Sequence, residues 1–215
     1  MADAPFSSLF VSSDEQVMWR VQALGDTGAF ARLVERWQTP IQRLCLRMLG
    51  DVHRGEDLAQ EAFTRAFARR MDWKPEGKFS TWLWRIALNL CYDELRRRQR
   101  RGETSLDGEG SEDFAALTDE APTPDEQLAA QERADLVRHA LMRLPEGYRS
   151  VVVLRHYENL KFREIADVLD IPEGTVKSRM AEALTQLSRS LKPALNEGPT
   201  PLPRPDKQIG EQLLI

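Results

Sequence analysis

The densest run of chemistry-bearing side chains lies between Phe79 and Arg101, where a tryptophan-bearing amphipathic stretch passes without a break into a cluster of arginines. Rings that can stack on unpaired bases stand there beside guanidinium groups that can neutralise phosphates, the pairing used by single-strand binders. At about 100° per residue, one helix puts Leu83, Ile86, Ala87, Leu90 and Cys91 on an inward arc. Trp82, Arg85, Asn89, Asp93, Arg96 and Arg100 then form an opposite polar stripe. The run Arg96, Arg97, Arg98, Gln99, Arg100, Arg101 holds five arginines in six residues, enough to anchor several phosphates with a salt-dependent affinity. By itself the run fits a solvated helix end as well as it fits DNA, and Trp82 and Trp84 fit ordinary packing as well as stacking.

Nothing elsewhere points to catalysis. Cys45 and Cys91 each fall on the apolar side of a helical pattern, with no CxxC pair and no histidine at metal spacing, so both read as buried thiols. His53, His139 and His156 are scattered, and Tyr92, Tyr148 and Tyr157 lack the surroundings of an activated nucleophile. We expect no catalytic residue, no metal, no cofactor and no small-molecule substrate.

The elements that must position the arginines and tryptophans are helical. Phe30, Leu33, Val34, Trp37, Ile41, Leu44, Cys45 and Met48 recur at spacings of three and four, with Asp26 or Thr27 as N-cap, and Pro40 is expected to kink or divide that helix. Leu58, Ala62, Phe63, Ala66 and Phe67 mark a second helix and the tryptophan segment a third. From Gly102 to Pro124 the periodicity stops and Gly, Ser, Thr, Pro and acids take over, the composition of a flexible linker, with Leu106, Phe114 and Leu117 its few apolar residues. Helical spacing returns at Leu128, Leu136, Val137, Ala140, Leu141 and Leu144, stops at Pro145, and resumes from Val151 to Tyr157.

Two helices across a tight corner follow: Phe162 to Leu169, the turn Asp170-Ile171-Pro172, and a helix from about Glu173 to Leu191, a helix-turn-helix pattern. Val176, Met180, Ala183, Leu184 and Leu187 form its inward stripe. Thr175, Ser178, Glu182 and Thr185 point away, with Lys177 and Arg179 on the shoulders, as suits a helix laid in a major groove. The fold class is therefore all-α, with two small helical domains joined by an acidic linker.

Across its 215 residues the chain carries 41% hydrophobic and 30% charged residues and a net charge of −4, which hides its pattern. Residues 1–101 are net +4 and 127–192 net +2, whereas 102–126 hold nine acids and no base. No apolar run approaches the roughly 18 residues of a membrane helix, and the N-terminus lacks a signal-peptide pattern. A cytoplasmic protein without membrane insertion is expected.

Three runs carry a resemblance. Asp57-Leu58-Ala59-Gln60-Glu61-Ala62-Phe63, Phe79-Ser80-Thr81-Trp82-Leu83-Trp84-Arg85-Ile86-Ala87-Leu88-Asn89 and Gly174-Thr175-Val176-Lys177-Ser178-Arg179 together resemble the bacterial sigma-70 family, in its extracytoplasmic function subgroup. The likeness extends over roughly residues 15–192. It implies a promoter-specificity subunit for core RNA polymerase, contacting its beta and beta-prime subunits, with a sigma-2 domain over 1–101, the linker over 102–124, a sigma-4 domain over 125–192 and a Pro-rich tail over 193–215.

Carried over by position, Asp57, Gln60, Glu61 and Thr64 match the contact to the polymerase clamp helices. The segment 79–89 matches the one that opens the duplex at the minus-ten element and captures a flipped base in the loop before it, about Met71 to Lys78. Trp73, Phe79 and Trp82 are then the stacking rings; Asn89 and Asp93 bond base edges; Arg85, Arg96, Arg97 and Arg100 meet DNA. Thr175, Lys177, Ser178 and Arg179 match the minus-thirty-five reader, while Glu182 stands where many members carry an arginine, and a carboxylate can accept a hydrogen bond from cytosine. The subgroup further implies an anti-sigma factor as partner.

The acidic linker is expected to thread the polymerase active-site channel, a negative strip on a basic nucleic-acid path. The alternative is a stand-alone helix-turn-helix repressor with an all-helical sensor domain, which leaves the array from Phe79 to Arg101 unexplained.

Overall fold

Ser13 starts the first helix: its hydroxyl accepts from the Gln16 amide at 3.2 Å while the Gln16 side chain accepts from the Ser13 amide at 3.1 Å. This reciprocal cap satisfies two of the donors that a helix start leaves open. In the computed structural model, which describes residues 13–102 and 124–196, helix α1 (Asp14–Leu24) leads to α2 (Thr27–Leu49), α3 (Val52–Ala68), a 3-10 turn (Arg70–Asp72) and α4 (Phe79–Arg101). The second half holds α5 (Pro124–Arg143), α6 (Glu146–Val152), a π turn (Val153–Tyr157), α7 (Phe162–Leu169) and α8 (Glu173–Asn196). No strand occurs among the described residues, as the all-α reading requires. The acidic stretch with Leu106, Phe114 and Leu117, and the tail beyond α8, lie outside the described residues.

Helix α1 has no counterpart in the sequence reading, although Val17, Met18 and Val21 are buried along one side of it. It ties down what precedes α4. The Gln22 amide donates to the carbonyls of Arg70 at 2.6 Å and Trp73 at 2.8 Å, and Glu15 accepts from the Phe79 amide at 3.3 Å.

Asp26 caps α2, accepting from the Ala29 amide at 2.8 Å. Pro40 does not divide that helix, contrary to expectation. A proline deletes one backbone bond, but Leu33 on one side of it and Ile41, Leu44, Cys45 and Met48 on the other are all sealed in one core, and that burial carries the helix through. Gly50 ends it in the left-handed region at φ +71, and a Cβ there would lie 2.8 Å from the Met142 sulfur of α5. Only glycine allows both the turn and that approach.

Helix α4 is buried on more than one side. Leu83, Ala87, Leu90 and Cys91 face the core as the periodicity predicts, Ile86 only partly, and Phe79, Trp84 and Leu88 are buried as well. Trp84 meets Trp37 of α2 edge to face at 5.7 Å. Cys91 contacts Cys45 of α2, and that hydrogen bond, with burial, pushes its thiol well above the ordinary range.

The two halves meet through arginines. Arg149 of α6, buried, donates to the carbonyl of Met48 near the end of α2, and to those of Met142 at 2.6 Å and Leu144 at 3.0 Å. Burial pushes its guanidinium down to about 10. Arg47 of α2 lies with its guanidinium carbon 4.1 Å above the Tyr157 ring and one nitrogen 3.6 Å from Glu158.

Burial pushes the Glu158 carboxyl up to about 7, against the pull of Arg47 and Arg43. A carboxyl raised on folding contributes stability that is fully present below its unfolded value near 4.5 and lost as pH rises through about 7. Chemical denaturation of Glu158→Gln beside the parent should therefore show the parent losing ground by up to about 3 kcal/mol between pH 5 and pH 8; a constant difference over that range would refute the assignment.

Candidate nucleic-acid interface

Along α4 the polar stripe forms as its spacing predicts: Arg85, Asn89, Asp93, Arg96 and Arg100 are exposed, and Trp82 is half-buried, tilted against Phe79 at 6.2 Å between ring centres. Asn89, Asp93 and Arg96 join Arg65 and Arg69 of α3 and Tyr92 around a recess of about 310 Å³. Four of these six lining residues besides Ile86 carry charge, three of them positive, so the recess offers donors to an anionic ligand and one carboxylate acceptor.

The five-arginine run divides into two sets. Glu94, 8% exposed, gathers Arg54 at 3.0 Å, Arg97 at 3.0 Å and Arg98 at 3.4 Å, and Arg98 also reaches Asp51 at 2.9 Å. Hydrogen bonding from Arg54 leads the effects that hold the Glu94 carboxyl below its usual range. Arg97, expected on DNA, is thus half committed to a buried carboxylate, whereas Arg96, Arg100 and Arg101 stay exposed. The spacing of Glu94 to Arg97 and Arg98, three and four residues, was the signal for this hub.

Two of the expected stacking rings are not available in this arrangement. Trp73 is 3% exposed and Phe79 0%, because α1 fixes the backbone at both positions and the rings complete the core. The loop between them is exposed from Lys74 to Lys78, and Met71 before it is exposed as well. Arg85, expected on DNA, instead donates to the Asp167 and Val168 carbonyls of α7 and lies 3.9 Å from Asp170. Lys78 pairs with Glu164 of α7 at 2.8 Å.

On α3, Asp57, Gln60 and Thr64 are exposed and Glu61 half-buried, all opposite Leu58 and Ala62. Glu61 pairs with Arg65 at 2.6 Å, Asp57 with Arg54 at 3.4 Å, and the Thr64 hydroxyl donates to the Gln60 carbonyl at 3.0 Å. These four form one acidic polar face.

The corner forms with Asp170 in the left-handed region at φ 56 as the cap of α7. On α8, Val176, Met180 and Ala183 are buried, Leu187 is partly so, and Leu184, expected inward, is 46% exposed. Lys177, Ser178, Glu182 and Thr185 face outward; Lys177 pairs with Glu173 at 2.7 Å and Glu182 accepts from Gln186 at 2.9 Å. Thr175 is half-buried, and Arg179 turns toward Gly147 of α6, lining a cleft with Arg85, Asn89 and Tyr92.

Comparison with known proteins matches residues 33–101 to sigma-70 region 2 and residues 134–187 to sigma-70 region 4. The chain is similar to the ECF RNA polymerase sigma factor SigW of Bacillus subtilis, 36% identical over 78% of this chain and 91% of that one. It is 36% identical to the RNA polymerase sigma-H factor of Pseudomonas aeruginosa (86% and 96% covered) and 33% identical to the ECF RNA polymerase sigma-E factor of Escherichia coli K12 (85% and 96%). In fold it is similar to CnrH, solved in complex with the cytosolic domain of CnrY, with a TM-score of 0.63 at 23% identity over 85% of this chain and 99% of that one. A second likeness is the sigma factor RpoE of Bartonella quintana in complex with the anti-sigma factor NepR, with a TM-score of 0.57 at 21% identity over 76% and 96%.

Removing the Glu94 charge leaves Arg54, Arg97 and Arg98 repelling one another. Glu94→Gln should cost about 1–3 kcal/mol in chemical denaturation at pH 7, and the difference from the parent should vanish as pH falls through the lowered Glu94 value, where the parent too is protonated. A loss independent of pH would show that packing rather than charge is at stake.

Proposed function

The chain belongs to the extracytoplasmic function subgroup of the sigma-70 family, and from that membership we propose how its parts divide the work of promoter recognition. A protein of this family binds core RNA polymerase and promoter DNA and directs initiation; it is an initiation factor rather than a catalyst, and this chain is read here as having no activity of its own.

Residues 1–101 act as the sigma-2 domain and 125–192 as the sigma-4 domain, joined by the linker at 102–124 and followed by the tail at 193–215. The face of Asp57, Gln60, Glu61 and Thr64 docks on the polymerase clamp helices, supported by its exposure and its polar, acidic character. The stripe of α4 engages the minus-ten element: Trp82 stacks on an unpaired base, Asn89 and Asp93 bond base edges, and Arg85, Arg96 and Arg100 meet phosphate, with Arg97 second to them. Trp73 and Phe79 support the loop from behind. Flipping a base costs a few kcal/mol and stacking returns roughly 1–3 kcal/mol per base, so melting is binding energy and requires no chemistry on the base. Lys177, Ser178, Glu182 and Thr175 on α8 read the minus-thirty-five element, with Arg179 joining them once it leaves Gly147.

The single observation that carries this reading is the continuous α4, half-buried tryptophan at one end and exposed arginines at the other, in a chain matching both region 2 and region 4. A stand-alone repressor has no use for that combination. We place the protein in the cytoplasm, no described helix being long and apolar enough to cross a membrane, and we give it an anti-sigma factor as partner on the strength of its subgroup.

Pull-down of core RNA polymerase, followed by transcription from a pool of random promoters, should recover polymerase and enrich a two-part motif; a folded, partner-free sample that fails to bind polymerase would sink the reading. Within it, Trp82→Ala should slow open-complex formation by about ten-fold or more, the equivalent of a lost stacking contact, with polymerase affinity unchanged. Asp57→Arg with Glu61→Arg should do the reverse, and equal loss of both steps in both variants would refute the division of labour.

A further inference from the structure

The cations that this reading turns toward DNA are already occupied by oxygens of the same chain. Lys78, in the loop before α4, holds the Glu164 carboxylate at 2.8 Å. Arg85 takes the Asp167 and Val168 carbonyls at the C-terminal end of α7, where the helix dipole is negative, with the Asp170 carboxylate 3.9 Å away. Two carboxylates and two end-of-helix carbonyls thus present to α4 the kind of oxygen surface that a phosphate backbone presents. The turn 170–172, which delivers α8, lines a recess of about 410 Å³ with Thr81 and Arg85.

Beneath this polar layer the halves are locked by apolar and buried contacts: Arg149 on the Met48 carbonyl, Arg47 over Tyr157, and Met142 against Gly50. The arrangement is incompatible with promoter engagement. Minus-ten and minus-thirty-five elements are by definition about 25 base pairs apart, roughly 85 Å at 3.4 Å per pair, whereas here the helix-turn-helix corner touches the minus-ten helix itself.

We propose that the free chain is a closed, self-occluded form in which α7 imitates DNA toward Lys78 and Arg85, and that binding to polymerase opens it by separating the two halves. This rests on the sigma-factor reading and adds to it a regulatory contact built from residues 78, 85, 164 and 167–170. The chain in this form withholds its minus-ten surface without any second protein. Free sigma is thereby kept from nonspecific DNA, and polymerase, by prising the halves apart, is what confers binding competence.

The test uses the full chain. Glu164→Gln with Asp170→Asn removes both carboxylates while glutamine still caps α7 and asparagine still tolerates the left-handed turn. Dyes on Gln38→Cys and Ser188→Cys, both exposed positions, report the distance between halves; the two native cysteines are buried. A labelled single-stranded oligonucleotide carrying the selected minus-ten element reports access to α4 at fixed salt.

The parent should show one short distance that lengthens on adding core polymerase. The double variant should show a broadened distance and bind the oligonucleotide about three- to ten-fold more tightly, the size expected for two exposed ion pairs. A parent already open in the absence of polymerase, or a variant that binds the oligonucleotide no better than the parent, overturns the proposal. Failure of the chain to bind polymerase would instead overturn the functional reading, and the distance between halves would still decide whether the closed form exists.

Discussion

A guanidinium taken out of water, with no carboxylate at ion-pair distance among the described residues, is the point on which the rest of the arrangement turns. Arg149 meets that cost with three backbone carbonyls drawn from the ends of α2 and α5, groups a helix C-terminus leaves without partners. The exchange is mutual: the cation is solvated by carbonyls, and the carbonyls gain a charged donor. Because Met48 belongs to the first half of the chain and Met142 and Leu144 to the second, the same residue that closes α5 also fixes where α2 must end relative to it. Gly50 follows directly, since a side chain there would collide with Met142.

From this junction outward, α4 becomes a shared wall. Its inner arc packs in the first half, Leu88 and Tyr92 face the second, and the stripe left over is narrow. Arginines at its end are sorted by one carboxylate: Glu94 draws two of them inward and leaves three to solvent. Charge count alone therefore overstates how many cations a DNA backbone can use.

Much of this was legible in the sequence. Periodicity located α2, α3, α4, the corner and α8, and the exposed stripe of α4 and the face on α3 lie where spacing put them. The misses have physical causes. Helix α1 is short, and its signal lay in the Ser13–Gln16 cap rather than in a long apolar stripe. Trp73 and Phe79 look like stacking rings in sequence, but only the α1 side chains Glu15 and Gln22, distant in the chain, show that they are fixed in the core. Pro40 was overridden by burial on both sides. Leu184 sits on the inward stripe by angle, yet the packing against α8 does not extend to it. Contacts between the halves, such as Arg47 with Tyr157, are invisible to periodicity, because nothing local distinguishes an arginine that will be buried from one that will not.

The π turn between Val153 and Tyr157 links these observations to the chain's history. There the Glu158 amide reaches back five residues to the Val153 carbonyl and Leu160 six to Leu154, so the helix carries one residue more than an α-turn would. One added residue rotates everything after it by about 100°, and that rotation sets the bearing of Tyr157 and Glu158 toward Arg47. A lineage that lost a single codon there would keep α6 and the helix-turn-helix intact and yet aim them away from α2. The union of the two halves is thus a matter of register, gained or lost in one insertion or deletion, while both reading surfaces stay as they are.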